Sequence, residues 1–121
     1  MVRTTLQILD RIPKDRRIVI DSFDHMMLAT VRQFSSWPTG YDFPQKQVKS
    51  EWLDFARDRG FDWVYIREQF VTPDVVRDAH ARGLHVMVYP PSSPADLPGL
   101  DSERPDGVMT EDLAAFAPWR R

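Results

Sequence analysis

Apolar and β-branched residues arrive along this chain in short bursts, separated by longer stretches that mix apolar with charged positions. IVIDSF (18–23), WVYIR (63–67), HVMVY (85–89) and GVMT (107–110) have the length and chemistry of strands, and TGYDF (39–43) is a weaker fifth. Between them HMMLATVRQF (25–34), QKQVKSEWLDFARDRG (45–60) and VTPDVVRDAHARG (71–83) read as helices. The last carries the clearest boundary signals. Thr72 stands at the N-cap, Pro73 at the first helical position, Asp74 in the first turn and Gly83 where a left-handed C-cap is needed. Strand, helix, strand, helix with short links predicts parallel strands joined by right-handed crossovers, which means an α/β sheet or barrel. PPSSPADLPGLDSERP (90–105) breaks the alternation: its five prolines predict a long surface loop with one helical turn near residues 95–97.

The chain has 121 residues, 42% of them hydrophobic, which suits a single domain over residues 1–121. Sixteen basic residues oppose 18 acidic ones for a formal charge of -2, and no basic stripe interleaved with aromatics appears. That argues against nucleic acid as a partner and leaves an anionic small molecule open. With no cysteine there is no disulfide, no thiolate metal site and no cysteine nucleophile, which fits a reducing compartment. The opening MVRTTLQILDRIPKDRR is too charged for a signal peptide, and no apolar run approaches the roughly 20 residues of a membrane span. The expected compartment is the cytoplasm.

Four stretches in series resemble the glycerophosphodiester phosphodiesterase family. IVIDSFDHMMLATVRQF is similar to its Ser-Phe strand and following helix, and WPTGYDF to its next short strand. VTPDVVRDAHARGLHVMVY resembles the Ala-His, Gly-Leu helix with the strand it feeds, and PDGVMTED the closing Asp-Gly-Ile-Ile-Thr-Asp turn. The resemblance runs in order from about residue 17 to 116. It implies part of a (β/α)8 barrel, a fold of typically ~250 residues with its site at the carboxyl ends of the strands. About five parallel strands, the last of such a barrel, are expected here, preceded by a helix over residues 3 to 12. The resemblance also implies phosphoric diester hydrolysis with a divalent metal such as Mg or Ca. The family's His-Arg-Gly turn, Glu-x-Asp metal pair, second histidine and Glu-x-Lys strand have no counterpart in this sequence. His80-Ala81-Arg82-Gly83 imitates the first with an extra residue. No catalytic residue and no metal ligand is therefore assigned, and no cofactor is expected in this chain alone.

What the resemblance does imply is a pocket wall: Phe23, Arg67 and Tyr89 as substrate-binding residues at or just past the strand ends. Strand parity supports two of them. Trp63, Tyr65 and Arg67 share one face, as do His85, Met87 and Tyr89, while Val64, Ile66, Val86 and Val88 supply aliphatic faces suited to helices. Each residue also has a plainer reading. Arg67 beside Glu68 suits a surface ion pair, and Asp21 an N-cap or turn as well as a functional carboxylate. Thr110 or Asp112 suits a helix cap in the turn where Glu111 replaces the family's aspartate. His25 reads as a surface histidine, His85 as a core one and His80 as a cation at the negative end of its helix. Glu51, Asp54 and Asp58, with Lys49, Arg57 and Arg59 nearby, read as a solvated face.

Three functions remain open on the sequence. One is a glycerophosphodiester phosphodiesterase-like protein of lipid or glycerophosphodiester metabolism, inactive alone, either a truncated piece or one segment completed by another chain that carries the metal half, with a homo-oligomer or such a complementary chain as the expected assembly. Another is a non-catalytic interaction or oligomerisation module. The third is a fragment of a glycoside-hydrolase-like barrel, which needs two carboxylates at strand ends, with Asp21 and Glu68 or Glu111 as the candidates.

Overall fold

The computed structural model describes residues 2–12, 18–43, 48–89 and 105–109. Its elements in order are α1 (Val2–Leu9), β1 (Ile20–Ser22), α2 (His25–Phe34), β2 (Thr39–Asp42), α3 (Ser50–Asp58), β3 (Trp63–Arg67), a 3₁₀ turn (Glu68–Phe70), α4 (Pro73–Ala81), β4 (His85–Tyr89) and β5 (Gly107–Val108). The five strands form one sheet in sequence order, and every pair is parallel. Nearest-neighbour order with parallel pairing is the arrangement of successive barrel strands, so the sheet is an arc of a TIM-type α/β barrel.

Local chemistry sets the helix boundaries. At α2 the Asp24 carboxylate accepts hydrogen bonds from the Met26 and Met27 amides. At α4 the Thr72 hydroxyl accepts from the Val75 amide at 3.1 Å, Pro73 opens the first turn, and Gly83 follows at a φ of 76°. A left-handed residue there favours glycine, which bears no Cβ to clash with the carbonyl. The expectation for α3 is corrected: the helix begins at Ser50 rather than residue 45, with Val48 and Lys49 outside it. The N-cap residue, Lys49, has no side-chain acceptor to offer and makes no side-chain cap bond. The short turn at Glu68–Phe70 had no sequence signal. The predicted loop up to residue 104, the turn near residues 95–97 and the cap at Thr110 or Asp112 lie outside the described residues.

One face of the sheet carries the core. Val64, Val86 and Val88 are 0% exposed and Ile66 is 1% exposed; they pack with Leu28 of α2, Leu53 and Ala56 of α3, and Val76 and Ala79 of α4. Burying each such aliphatic side chain stabilises the fold by about 1.5–3 kcal/mol relative to exposure. A smaller cluster of Leu6, Val31 and Trp37, with Ile18 and Ile20 against it, brings together α1, α2 and the β1 region.

Two aspartates fasten the amino ends of the strands in the same way. Asp62, just before β3, accepts from the Thr39 amide at 2.9 Å, and its own amide donates to the Thr39 carbonyl at 2.9 Å. Asp106, just before β5, does the same for Val86 of β4, at 2.8 Å and 2.9 Å. Asp106 also holds His80 Nε2 at 2.7 Å, which links α4 to the sheet edge. The strands are thus locked in register at the end of the sheet opposite the carboxyl ends, where side chains remain free for chemistry.

Candidate functional site at the carboxyl ends of the strands

Alternation along parallel strands puts Asp21, Gly40, Asp42, Trp63, Tyr65, Arg67, His85, Met87, Tyr89 and Gly107 on the second face of the sheet. With helices covering the other face, this one is the concave, inward side of the arc. Large side chains lean over glycines on it. A Cβ on Gly40 would sit 2.5 Å from the Tyr65 ring and 3.4 Å from Asp21 Cβ, and one on Gly107 would sit 2.7 Å from Met87. Glycine at these positions lets the neighbouring strand's side chain lie flat across the backbone.

Arg67 and Tyr89 stand directly opposite one another as the last residues of β3 and β4. The Arg67 guanidinium carbon lies 6.0 Å from the centroid of the Tyr89 ring, within cation–π range. Asp42 ends β2 on the same face, in register with Tyr65. Burial is the first cause that pushes the Tyr89 phenol up to about 12; the Asp42 carboxylate adds to it and Arg67 pulls the other way. Burial raises the Tyr65 phenol as well, helped by Asp21 and Asp42. Asp21 itself is raised, by burial first and then by Asp42, against a backbone hydrogen bond that lowers it. Among the described residues, the inward face therefore presents one guanidinium, two phenols held neutral, and two carboxylates that repel each other.

The structure brings Arg67 and Tyr89 together and leaves Phe23 apart. Phe23 follows β1, two strands from Arg67, and its side chain is 71% exposed. Asp21 does not cap α2, a task that falls to Asp24; it faces inward beside Gly40. Asp42 belongs to this group and was missed because TGYDF is the weakest strand signal in the sequence; strand parity within 39–43 could have found it. The inward carboxylate pair is Asp21 with Asp42, not Asp21 with Glu68, and Glu111 lies outside the described residues.

The histidines exchange their expected places. His25, expected at the surface, is half-buried behind β2, with its ring 5.3 Å from Phe55 and 6.4 Å from Tyr41 and its Nδ1 buried without a hydrogen-bond partner among the described residues. With Tyr41, Phe43, Trp52 and Phe55 it lines a pocket of about 200 Å³ on the helix side of the sheet. His85, expected in the core, has its side chain 55% exposed; it opens β4 on the inward face, where its ring lies 4.9 Å from that of Trp63. His80 keeps its place in the last turn of α4. The α3 acids do form a surface network: Asp54 pairs with Arg57 at 3.4 Å and with Arg82, the C-cap of α4, at 2.6 Å, and the Arg82 hydrogen bond holds the Asp54 carboxyl below its usual range.

Among the described residues no group of three or more His, Asp and Glu side chains is placed to hold a metal ion. The inward carboxylates Asp21 and Asp42 are only two donors, so the metal that the resemblance implies does not fit these residues and no step is routed through it. No helix among the described residues is long and apolar enough to cross a membrane.

No family model and no curated protein matches the chain. Solved structures do. A candidate glycerophosphoryl diester phosphodiesterase from Silicibacter pomeroyi is 25% identical with a TM-score of 0.79, covering 95% of this chain and 41% of its own. A candidate glycerophosphodiester phosphodiesterase from Galdieria sulphuraria is 18% identical with a TM-score of 0.85, covering 98% and 49%. An Oleispira antarctica phosphodiesterase, solved with the product sn-glycerol-3-phosphate, is 18% identical with a TM-score of 0.79, covering 90% and 44%. The chain spans less than half the length of each. The fold of this chain is that of the C-terminal part of the glycerophosphodiester phosphodiesterases.

Proposed function

We propose that this chain is the substrate-wall half of a glycerophosphodiester phosphodiesterase-like barrel, and that it binds the anionic glycerol phosphate end of its ligand without hydrolysing it alone. The observation that carries the reading is the Arg67–Tyr89 pair at the ends of adjacent inward-facing strands. A guanidinium supplies a fixed fork of donors for phosphate oxygens, and the aromatic ring beside it supplies a shelf for a three-carbon chain. The neighbour with sn-glycerol-3-phosphate bound supports the ligand class. Phe23 joins the wall from β1 once a ligand spans the strand ends.

Splitting the diester asks for charge compensation at the phosphoryl group, an acid for the leaving oxygen and a base for the attacking one. The inward face offers Arg67 for the first. Among the described residues the inward face holds no histidine at the carboxyl ends of its strands, His85 lying at the amino end of β4, and this supports the non-hydrolytic reading. The interaction-module reading rests on a separate observation. β1 and β5 end the described sheet, and unpaired edges of a parallel arc recruit further strands. A complementary chain or a second copy is the partner this geometry invites. The cytoplasm is the compartment proposed.

Titration of the chain with sn-glycerol 3-phosphate, followed by amide and ring resonances near Tyr89, tests the reading. Without a metal the affinity should be no better than about 1 mM, or roughly 4 kcal/mol. Arg67→Ala should abolish the shifts and leave the fold intact, since Arg67 is exposed. Equal shifts in parent and variant, or none in either, would return Arg67 to the role of a surface cation. Turnover of glycerophosphodiesters by the homogeneous chain with Mg²⁺, Ca²⁺ or Mn²⁺ would overturn the non-hydrolytic part.

A further inference from the structure

We propose that Asp42 sets how tightly the Arg67–Tyr89 shelf takes an anion, by standing beside it as a fixed negative competitor; the inference rests on the anion-binding reading above. The register fixes the placement. Asp42 is opposite Tyr65 on β3, and Arg67 lies two residues further along the same face. With strands ~4.8 Å apart and ~3.3 Å per residue, the two positions are diagonal neighbours roughly 8 Å apart at the backbone. Tyr89 then lies directly across from Arg67 on the far side. The three residues make a row over β2, β3 and β4 at the carboxyl ends of the strands.

The influence of this carboxylate on the inward face is visible in its neighbours. Burial is the leading cause that raises Asp21 on β1, Tyr65 on β3 and Tyr89 on β4, and the Asp42 carboxylate adds to each, through a side-chain hydrogen bond in the case of Tyr89, whereas Arg67 acts on Tyr89 in the opposite direction. Carboxylate and guanidinium thus bear on one phenol with opposing effects. A phosphate seated on Arg67 and Tyr89 shares that space, so it meets Asp42 as a like charge at about the same range. Asp21 stands a further strand away from Arg67 and has the weaker hold on such a ligand. A chain built only to grip an anion would carry a neutral residue at position 42. With aspartate there, the shelf discriminates: phosphate monoanions and dianions are held loosely, and the uncharged hydroxyls of a polyol are unaffected.

Removing one unit charge at this distance, between water-like and protein-surface screening, should tighten the binding of a phosphate ester about threefold to tenfold. The experiment titrates the full chain and its Asp42→Asn and Asp42→Ser variants with sn-glycerol 3-phosphate at low salt, with glycerol as the uncharged probe and Asp21→Asn for comparison. The expected result is a threefold to tenfold lower Kd for the phosphate ester in both Asp42 variants, a smaller change for Asp21→Asn and no change for glycerol. If Arg67→Ala abolishes binding but neither Asp42 variant tightens it, the inference fails and the anion shelf stands. If Arg67→Ala leaves binding as it was, the shelf reading fails and takes the inference with it. Loss of the dispersed spectrum in both Asp42 variants also overturns the inference, because Asp42 would then be required by the fold.

Discussion

Asp106→Ala offers the sharpest test of how this sheet is held. Its carboxylate oxygen accepts from the Val86 amide at 2.8 Å and lies 2.7 Å from His80 Nε2, while the other oxygen is 3.7 Å from His85 Nδ1. Val86 is fully buried, so alanine leaves its amide without an acceptor. An unsatisfied buried donor costs about 1–3 kcal/mol. Loss of the half-exposed His80 contact adds less than about 1 kcal/mol after solvent screening. The expected destabilisation is therefore about 2–3 kcal/mol, a large share of the roughly 5–15 kcal/mol typical of a domain. In urea unfolding followed by tryptophan fluorescence, with a slope of about 1–3 kcal/mol per M, the midpoint should fall by about 1 M or more. Asp106→Asn keeps an oxygen for the Val86 amide and should cost less than about 1 kcal/mol. If alanine and asparagine are equally costly, the hydrogen bond is not the cause and the carboxylate charge is. If neither shifts the midpoint, the strap between β4 and β5 contributes nothing to stability.

Two further outcomes are expected. All three tyrosines are raised above the ordinary phenol value, Tyr89 to about 12, with burial the leading cause for each. Because the folded chain holds these protons more tightly than the unfolded chain, the associated stability is full below pH 10 and is lost as pH rises toward 12. Phenolate absorbance should therefore lag that of free tyrosine at pH 10, and Arg67→Ala should delay Tyr89 further; a midpoint near 10 for the whole set would refute this. Gly40→Ala places a Cβ 2.5 Å from the Tyr65 ring, so the ring must move off β2. A loss of about 1–3 kcal/mol with shifted Tyr65 resonances is expected, and an unchanged melting curve would show that the ring has somewhere else to go.

Light scattering addresses the sheet edges. With β1 and β5 at the ends of the described sheet, association into dimers or larger species is expected at tens of micromolar. A stable, well-behaved monomer there would count against the half-barrel reading itself.

What the sequence alone determined is what local chemistry determines. The caps of α4 follow from Thr72, Pro73 and Gly83, each acting within a few residues of itself. The inward and outward faces of β3 and β4 follow from a period of two, since burying Val64, Ile66, Val86 and Val88 leaves Arg67 and Tyr89 no other side. Other features needed the tertiary structure because their cause lies far along the chain. Asp42 became part of the site when β2 paired with β3: parity within TGYDF gives its face, but only the pairing sets it beside Tyr65 and Arg67. His25 and His85 changed places because burial of a histidine depends on what packs across from it: Phe55 and Tyr41 enclose one, and the open inward face leaves the other beside Trp63. Asp62 and Asp106 look like ordinary turn residues in the sequence. Their partners Thr39 and Val86 stand 23 and 20 residues away, and only pairing of the strands brings those amides within reach.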